Sequence, residues 1–445
     1  MKEFNRKLLS IALPITIQNL ISMSLNLVDN LMIGQLGSAA IAAVGLVNQM
    51  NFVLILFLFG ASSGTGVFIS QYWGNRDLKN IGKTISTRFE DYLRGLDSYF
   101  SCLLFFFPQQ IISFFSRDIT VVTAGVAYSK IISFTTFLIP FTFVMAMALR
   151  TIEKPKIPMY ISFVVLAFNT VGNYLLIFGV GPFPEMGVKG AAIATLLSRL
   201  IEFFLYLYVL LKPVTALTIS RHEFLDFDTV FFRKLMVVAL PVIVNELLWS
   251  VGMTTYSFIM ARIGTEALTV KNIVSTLESF GFIIFGGMSA ATVVMVGSEL
   301  GKKNYEKAFK NAIKLLNLMV VIGVITGIGI ILLSRFLIRM YNVEEVIKST
   351  VVMVMIIVGL AQPVKMFNGL NIVGVLRSGG DTKTAMFLEL FSLWGIGIPL
   401  VALSGIVLKW PLPFVFLMML PEELFKASLG MLRVHSRKWL RNVID

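Results

Sequence analysis

Cysteine, histidine and charged residues are all scarce in this chain. Its 445 residues include one Cys, Cys102, and two His, His222 and His435. A single Cys excludes an intramolecular disulfide framework and a Cys cluster for zinc or iron–sulfur ligation. The two His lie far apart in charged stretches, so we expect no His-based metal centre. Charged residues make up 14% of the chain, against about 25% in soluble domains, which excludes a water-soluble protein of this length.

Apolar residues are abundant instead. They make up 56% of the chain, and the mean hydropathy is +0.83. Crossing about 30 Å of hydrocarbon takes roughly 20 apolar residues, and runs of that kind recur along the whole chain. We predict helices, because a barrel would show short alternating strands. The twelve predicted spans are Leu8–Ile33, Ile41–Ile69, Tyr99–Phe115, Val121–Leu149, Ile157–Val180, Gly190–Leu211, Leu235–Ala261, Ala267–Val296, Ala308–Leu333, Val346–Leu376, Ala385–Leu408 and Pro411–Leu432.

The positions of the basic residues that give the net charge of +13 indicate how the chain is oriented in the membrane. With the N-terminus inside, basic residues favour the inner segments by roughly three to one, as the positive-inside rule requires. We therefore expect both termini in the cytoplasm. We also expect contact with membrane lipids and no nucleic-acid partner.

The chain matches itself at a constant offset of 227 residues. Ala12-Leu13-Pro14 matches Ala239-Leu240-Pro241, and Leu149-Arg150 still matches Leu376-Arg377 in the same register. The repeat predicts an all-α polytopic membrane protein with two parallel six-helix lobes, 1–212 and 235–445, joined by a cytoplasmic linker at 213–234. This architecture is typical of secondary transporters that rock around a central substrate site.

Motifs for ATP hydrolysis and for enzymatic chemistry are missing. Gly82-Lys83-Thr84 resembles the end of a P-loop, but position 77, where the first Gly is needed, is Asp. No H-E-x-x-H motif occurs, and the match to G-x-S-x-G at Gly60–Gly64 lies inside the second predicted span, not on the strand-to-helix turn that a nucleophilic Ser needs. We therefore expect neither an enzyme nor a cofactor.

Polar residues inside the predicted spans are candidates for function. In the first span Asn26 and Asp29 lie on one polar stripe, and in the fifth span Asn169 and Asn173 share a face at i, i+4. A buried carboxylate beside amide oxygens is suited to bind H⁺ or Na⁺ and to release it again. The alternative is that Asn169 and Asn173 only hold helices together.

The second half has a different set of intramembrane charges. We place Glu246 and Lys365 at similar depth, about 16 and 18 Å from the inner end of their helices, so that they are able to pair. Glu278 lies near mid-depth in the eighth span. Together with Asn368 of the tenth span, these residues are candidates for a second polar or substrate site, and the alternative for Glu246 and Lys365 is a structural ion pair.

Several of these stretches together resemble the multidrug and toxic compound extrusion (MATE) transporters, over nearly the whole chain. The stretches are Ala12-Leu13-Pro14, Val28-Asp29-Asn30 with Ile33-Gly34, Gln71-Tyr72-Trp73-Gly74, Asn173 to Gly179, Leu240-Pro241 with Asn245-Glu246, and Leu376 to Thr382. The resemblance implies a twelve-helix, two-lobe antiporter that exports organic cations in exchange for H⁺ or Na⁺. It assigns a cation-linked role to Asp29 and places an acidic residue of the seventh helix at Glu246.

The chain departs from the family pattern at three places. The fifth helix carries Asn173 where members often have Asp, which leaves Asp29 as the only charge of its cluster. The tenth helix carries Lys365 and Asn368 where some members have an acid. The third departure is Ser86–Ser101, where five charges occupy half of a spanning helix: Arg88, Glu90, Asp91, Arg94 and Asp97. We interpret that segment as a compensated pair of frame shifts or a sequencing error; if it is genuine, the third helix is short or displaced.

We therefore expect a monomeric antiporter for small organic cations and drugs in the inner membrane of a bacterium, with no metal other than Na⁺ near Asp29. One alternative is a lipid-linked saccharide flippase of similar architecture, which needs a wide, basic central cavity. The other is a channel or a membrane protein that does not transport, which the abnormal third helix favours.

Overall fold

The computed structural model describes residues 2–94, 96–212, 228–341 and 343–445, without the side chains of 88–98, 277, 280 and 340. Its described part contains helices and no strands. The chain consists of two compact units. Residues 13–236 form the first unit, and residues 237–445 form the second unit together with 1–12. Because 213–227 lie outside the described part, the linker at 213–234 stays a prediction.

The helices up to the linker follow one another with short connections. They are α1 (Lys2–Gly34), α2 (Ser38–Gly74), α3 (Leu78–Arg94), α4 (Leu96–Phe106), α5 (Pro108–Phe115), α6 (Ile119–Ile132), α7 (Thr135–Thr151), α8 (Lys156–Phe178) and α9 (Val188–Leu211). The first unit packs around a core that includes Val47, Ile132 and Ala192 from three of these helices.

The helices after the linker begin with three long ones: α10 (Thr229–Ile263), α11 (Thr265–Gly301) and α12 (Tyr305–Leu337). They continue with α13 (Glu345–Gly369), α14 (Thr382–Leu390), α15 (Ile398–Ala402), α16 (Leu412–Leu417) and α17 (Leu420–His435). Three π-helical segments, Leu370–Leu376, Phe391–Gly397 and Leu403–Val407, extend α13 and flank α15. Met260, Val354 and Val401 lie in the core of this unit.

Ten of the twelve predicted spans correspond to apolar helices of sufficient length. Within the described residues, nine helices are long and apolar enough to cross a membrane, and α6 with α7, bent by 49°, makes a tenth. The third and twelfth predicted spans consist of shorter helices instead. α4 and α5 have 11 and 8 residues, whereas α12, the repeat counterpart of this region, is one helix of 33 residues. The charged side chains of 88–97 lie outside the described part.

The repeat is visible in the backbone as well as in the sequence. α2 and α11 both have 37 residues, and their ends are related by the offset of the sequence repeat. Some of the residues with positive φ follow the same offset: Gly37 and Gly264 with φ of 101° and 158°, and Arg76 and Lys303 with φ of 59° and 60°. Left-handed conformations are unfavourable for most residues, so their recurrence in register indicates that the turns of both halves are built alike.

Candidate functional site

The first unit brings the predicted carboxylate and amides together. Asn173 on α8 donates through Nδ2 to Asp29 Oδ1 on α1 at 2.5 Å and to Asn169 Oδ1 at 3.1 Å. Asn169 in turn donates to Thr195 Oγ1 on α9 at 3.4 Å. Asn169 and Asn173 are buried, while Asp29 is half-buried. Asn26 lies outside this group: its side chain is exposed, and no described residue contacts it through a hydrogen bond.

The chemistry of this cluster is that of an oxygen-lined site with a single negative charge. Its only charged member is Asp29, whose contact with Asn173 is a charge-assisted hydrogen bond. The Oδ1 atom of Asn173 is buried and has no partner among the described residues. Neutralising Asp29 with H⁺ or a monovalent cation is therefore chemically suited to this arrangement. The described residues contain no group of three or more His, Cys, Asp or Glu able to hold a metal ion.

In the second unit, the predicted pairing of Glu246 with Lys365 is wrong. Lys365 on α13 binds Glu278 on α11 at 2.7 Å, between Nζ and Oε1. Glu246 on α10 accepts instead from Nη2 of Arg377 at 2.8 Å. The depths estimated from sequence say how far along a helix a residue lies, but not which neighbouring helix its side chain faces.

Arg377 is almost completely buried, at 2% exposure. Its repeat counterpart Arg150 makes a similar contact. Arg150 donates to Gln18 Oε1 through Nε at 3.1 Å and through Nη2 at 2.7 Å. In both units an arginine at the end of one helix thus reaches a polar group in the first helix of its repeat. The acceptor is a neutral amide in one unit and a carboxylate in the other.

A group of charges on α17 was not predicted from the sequence. Asn368 donates through Nδ2 to Oε2 of Glu423 at 2.7 Å and to its backbone carbonyl at 2.8 Å. Glu422 and Glu423 lie next to Lys426. The signal was present: acids three and four residues before a lysine, inside a predicted span, predict ion pairs on one helix face.

The two units built on one repeat, the apolar helices and the buried charges define an all-α polytopic membrane transporter. A sequence model of the MatE family matches residues 14–175 and 241–403, so the chain belongs to the MatE family. The two matches begin 227 residues apart, which is the offset of the repeat.

Similar proteins cover almost the whole chain. The "Uncharacterized transporter YisQ" of Bacillus subtilis is 25% identical over 98% of this chain and 95% of its own length. The "Probable multidrug resistance protein NorM" of Thermotoga maritima is 25% identical over 99% and 94%.

Solved structures share the fold. The outward-facing conformation of a multidrug resistance MATE family transporter of the MOP superfamily superimposes with a TM-score of 0.88 at 20% identity, covering 97% of this chain and 96% of that one. A MOP superfamily transporter from Pyrococcus furiosus, described as having a binding pocket of reverse polarity, has a TM-score of 0.85 at 19% identity, with coverage of 98% and 96%.

Proposed function

We propose that this chain is a secondary active efflux transporter that exports organic, mostly cationic drugs in exchange for H⁺ or Na⁺. The observation that carries the proposal is the Asp29 carboxylate, held inside the first unit by Asn173 at 2.5 Å. Family membership and the similarity to a probable multidrug resistance protein, NorM, support drugs as the substrate class. The two lobes exchange access by rocking, as expected for parallel repeats.

The proposed coupling step is the neutralisation of Asp29. A hydrogen bond to an ionised acceptor is roughly twice as strong as one between neutral groups. Binding of H⁺ or Na⁺ therefore weakens the link that Asn173 makes between α1 and α8, and loss of the ion restores it. The affinity of the protein for the drug then depends on whether the coupling ion is bound, and its affinity for the ion depends on whether the drug is bound. The ion gradient thereby drives export of the cationic drug.

The cellular setting belongs to the same proposal. The excess of basic residues in the inner segments supports cytoplasmic termini in a multi-pass protein of the bacterial inner membrane. We propose a monomer surrounded by lipid. The flippase alternative needs unpaired basic groups deep in the protein, whereas Lys365 is paired with Glu278 at 2.7 Å.

The test is ethidium efflux from proteoliposomes under an imposed pH gradient or an imposed Na⁺ gradient. We expect Asp29→Asn to abolish the gradient-driven component. Asp118→Asn is the matched control, because it removes an exposed carboxylate at the N-terminus of α6 while Asn still caps the helix. Equal efflux by wild type and Asp29→Asn removes Asp29 from the coupling role. A response to one gradient alone identifies the coupling ion, and no efflux under either rejects the antiport proposal.

A further inference from the structure

Three carboxylates of the second unit surround one ammonium group. Lys426 Nζ lies 3.2 Å from Glu422 Oε1, 3.6 Å from Glu389 Oε1 and 3.9 Å from Glu423 Oε1. Glu389 is on α14, and the other three residues are on α17. All four side chains are at most 16% exposed.

The charges of this cluster do not balance if every group is ionised. Lys426 compensates one of the three carboxylates, and two negative charges remain. The neighbouring cation Lys365 attracts Glu422 and Glu423 as well, but it pairs with Glu278 at 2.7 Å, so counting this pair adds one charge of each sign and the two excess negative charges remain. An isolated carboxylate buried in a poorly polar medium costs several kcal/mol or becomes neutral instead. Burial in this unit therefore favours a form of the cluster that carries fewer negative charges.

An independent observation concerns the hydrogen-bond donors around the cluster. Asn368 is only 3% exposed, and its Nδ2 donates to Glu423 Oε2 at 2.7 Å. Oδ1 of the same amide is buried without any partner in the described part of the chain. An ionised carboxylate only accepts hydrogen bonds, whereas a protonated one donates. A proton on the cluster thus supplies the kind of donor that the Asn368 oxygen lacks.

Two further polar residues, Tyr256 and Asn371, contact α17, the helix that carries most of the cluster. Tyr256 on α10 donates its hydroxyl to Glu422 Oε2 at 2.6 Å. One turn beyond Asn368 on the chain, Asn371 is 1% exposed, and its Oδ1 also lacks a partner among the described residues. A Cβ on Gly430 of α17 would overlap Nδ2 of Asn371, so the nitrogen of this amide lies against the helix that carries Lys426.

We propose that Glu389, Glu422 and Glu423 around Lys426 form a proton-binding site in the second unit. It goes beyond the proposed coupling role of Asp29, which belongs to the other unit. The ligand is H⁺ rather than a metal cation, because the Lys426 ammonium already occupies the position between the carboxylates and repels a second cation. Protons bind to the two carboxylates that Lys426 leaves uncompensated, and the cluster exchanges them as the pH changes.

The test is infrared difference spectroscopy of the purified full chain in lipid, recorded as the pH is changed from acid to alkaline. A protonated carboxylic acid shows a carbonyl stretching band that a carboxylate lacks. We expect this band in the wild type, a smaller band in Glu422→Gln, Glu423→Gln or Glu389→Gln, and loss of the whole contribution of the cluster in the triple variant, whereas a contribution of Asp29 is removed separately by Asp29→Asn. In Lys426→Met the band should persist to higher pH, because the ammonium that favours the ionised form is gone.

The control is Glu345→Gln, which removes an exposed carboxylate of the same unit that pairs with Lys348 and should leave the contribution of the cluster to the band unchanged. The proposal is overturned if no band depends on Glu389, Glu422 or Glu423, or if Na⁺ removes the band at constant pH. Because protonation is read directly, failure of ethidium efflux does not affect this test. A band without efflux keeps the site and rejects the proposed function.

Discussion

Removing the charge of Glu246 should destabilise the protein more than any substitution of an exposed ion pair. In Glu246→Gln, the Arg377 guanidinium stays buried, at 2% exposure, without its counter-charge. Its Nη1 atom already lacks a hydrogen-bond partner in the described part of the structure. Arginine does not lose its proton in proteins, so the uncompensated charge persists. Breaking a buried pair in this way costs about 3–5 kcal/mol.

The reciprocal variant should cost less. Arg377→Met leaves Glu246 buried, but a carboxylate is able to take up a proton and become neutral. The double variant Glu246→Gln/Arg377→Met has no uncompensated charge. Its stability should therefore be much higher than the sum of the two single effects implies, with a coupling energy of about 1–3 kcal/mol.

The measurement is equilibrium unfolding of the four proteins in mixed detergent micelles, followed by Trp fluorescence and evaluated as a double-mutant cycle. Glu306→Gln is the control, because Glu306 pairs with Arg437 in an exposed position where such contacts contribute about 0–1 kcal/mol. Additive effects of Glu246→Gln and Arg377→Met would refute the reasoning, since two residues that form one buried pair must be coupled.

Two smaller predictions use the same unfolding assay. Gly190→Ala should destabilise the packing of α9 on α8 by about 1–3 kcal/mol, because a Cβ there overlaps the backbone carbonyl of Leu176. The control Gly45→Ala, with nothing within 4 Å of the added Cβ, should be neutral or slightly stabilising. Equal effects of the two variants would contradict the close approach of α9 to α8. The hydrogen bond from Lys83 at 2.6 Å holds the pKa of Asp228 below its usual range, so its contribution is present at neutral pH and lost as the pH falls. The difference between wild type and Lys83→Met should therefore shrink on acidification, and a difference that grows would contradict this sign.

Much of the fold was predictable because the repeat constrains many residues at once. One offset relates the ends of α2 and α11 and the left-handed residues Arg76 and Lys303. Apolar run length then located most of the spans. The twelfth was harder to predict in detail, because it divides into α16 and α17, and a break inside an apolar run has no signature in hydropathy alone.

The two candidate sites differ in how far sequence reasoning reached, and the difference is physical. Asn169 and Asn173 are one turn apart on α8, so helical periodicity alone puts them on one face. The only further requirement for the predicted cluster was that Asp29 faces α8, and its hydrogen bond with Asn173 shows that it does. In the second unit each charge had several possible partners at similar depth, and the choice depends on helix rotation. Lys365 turns toward Glu278 and leaves Glu246 to Arg377.

The choice of ion-pair partners explains why the two halves share the repeat in their backbone but differ in their buried charges. The repeat conserves the path of the backbone, so Arg150 and Arg377 both reach the first helix of their half. The side chains they meet are Gln18 and Glu246, and only the second carries a charge. Since a buried charge must be compensated by another nearby, one such substitution changes which neighbours are free to pair. The units therefore share a scaffold while their interiors differ in charge, and each interior has to be tested by its own variants.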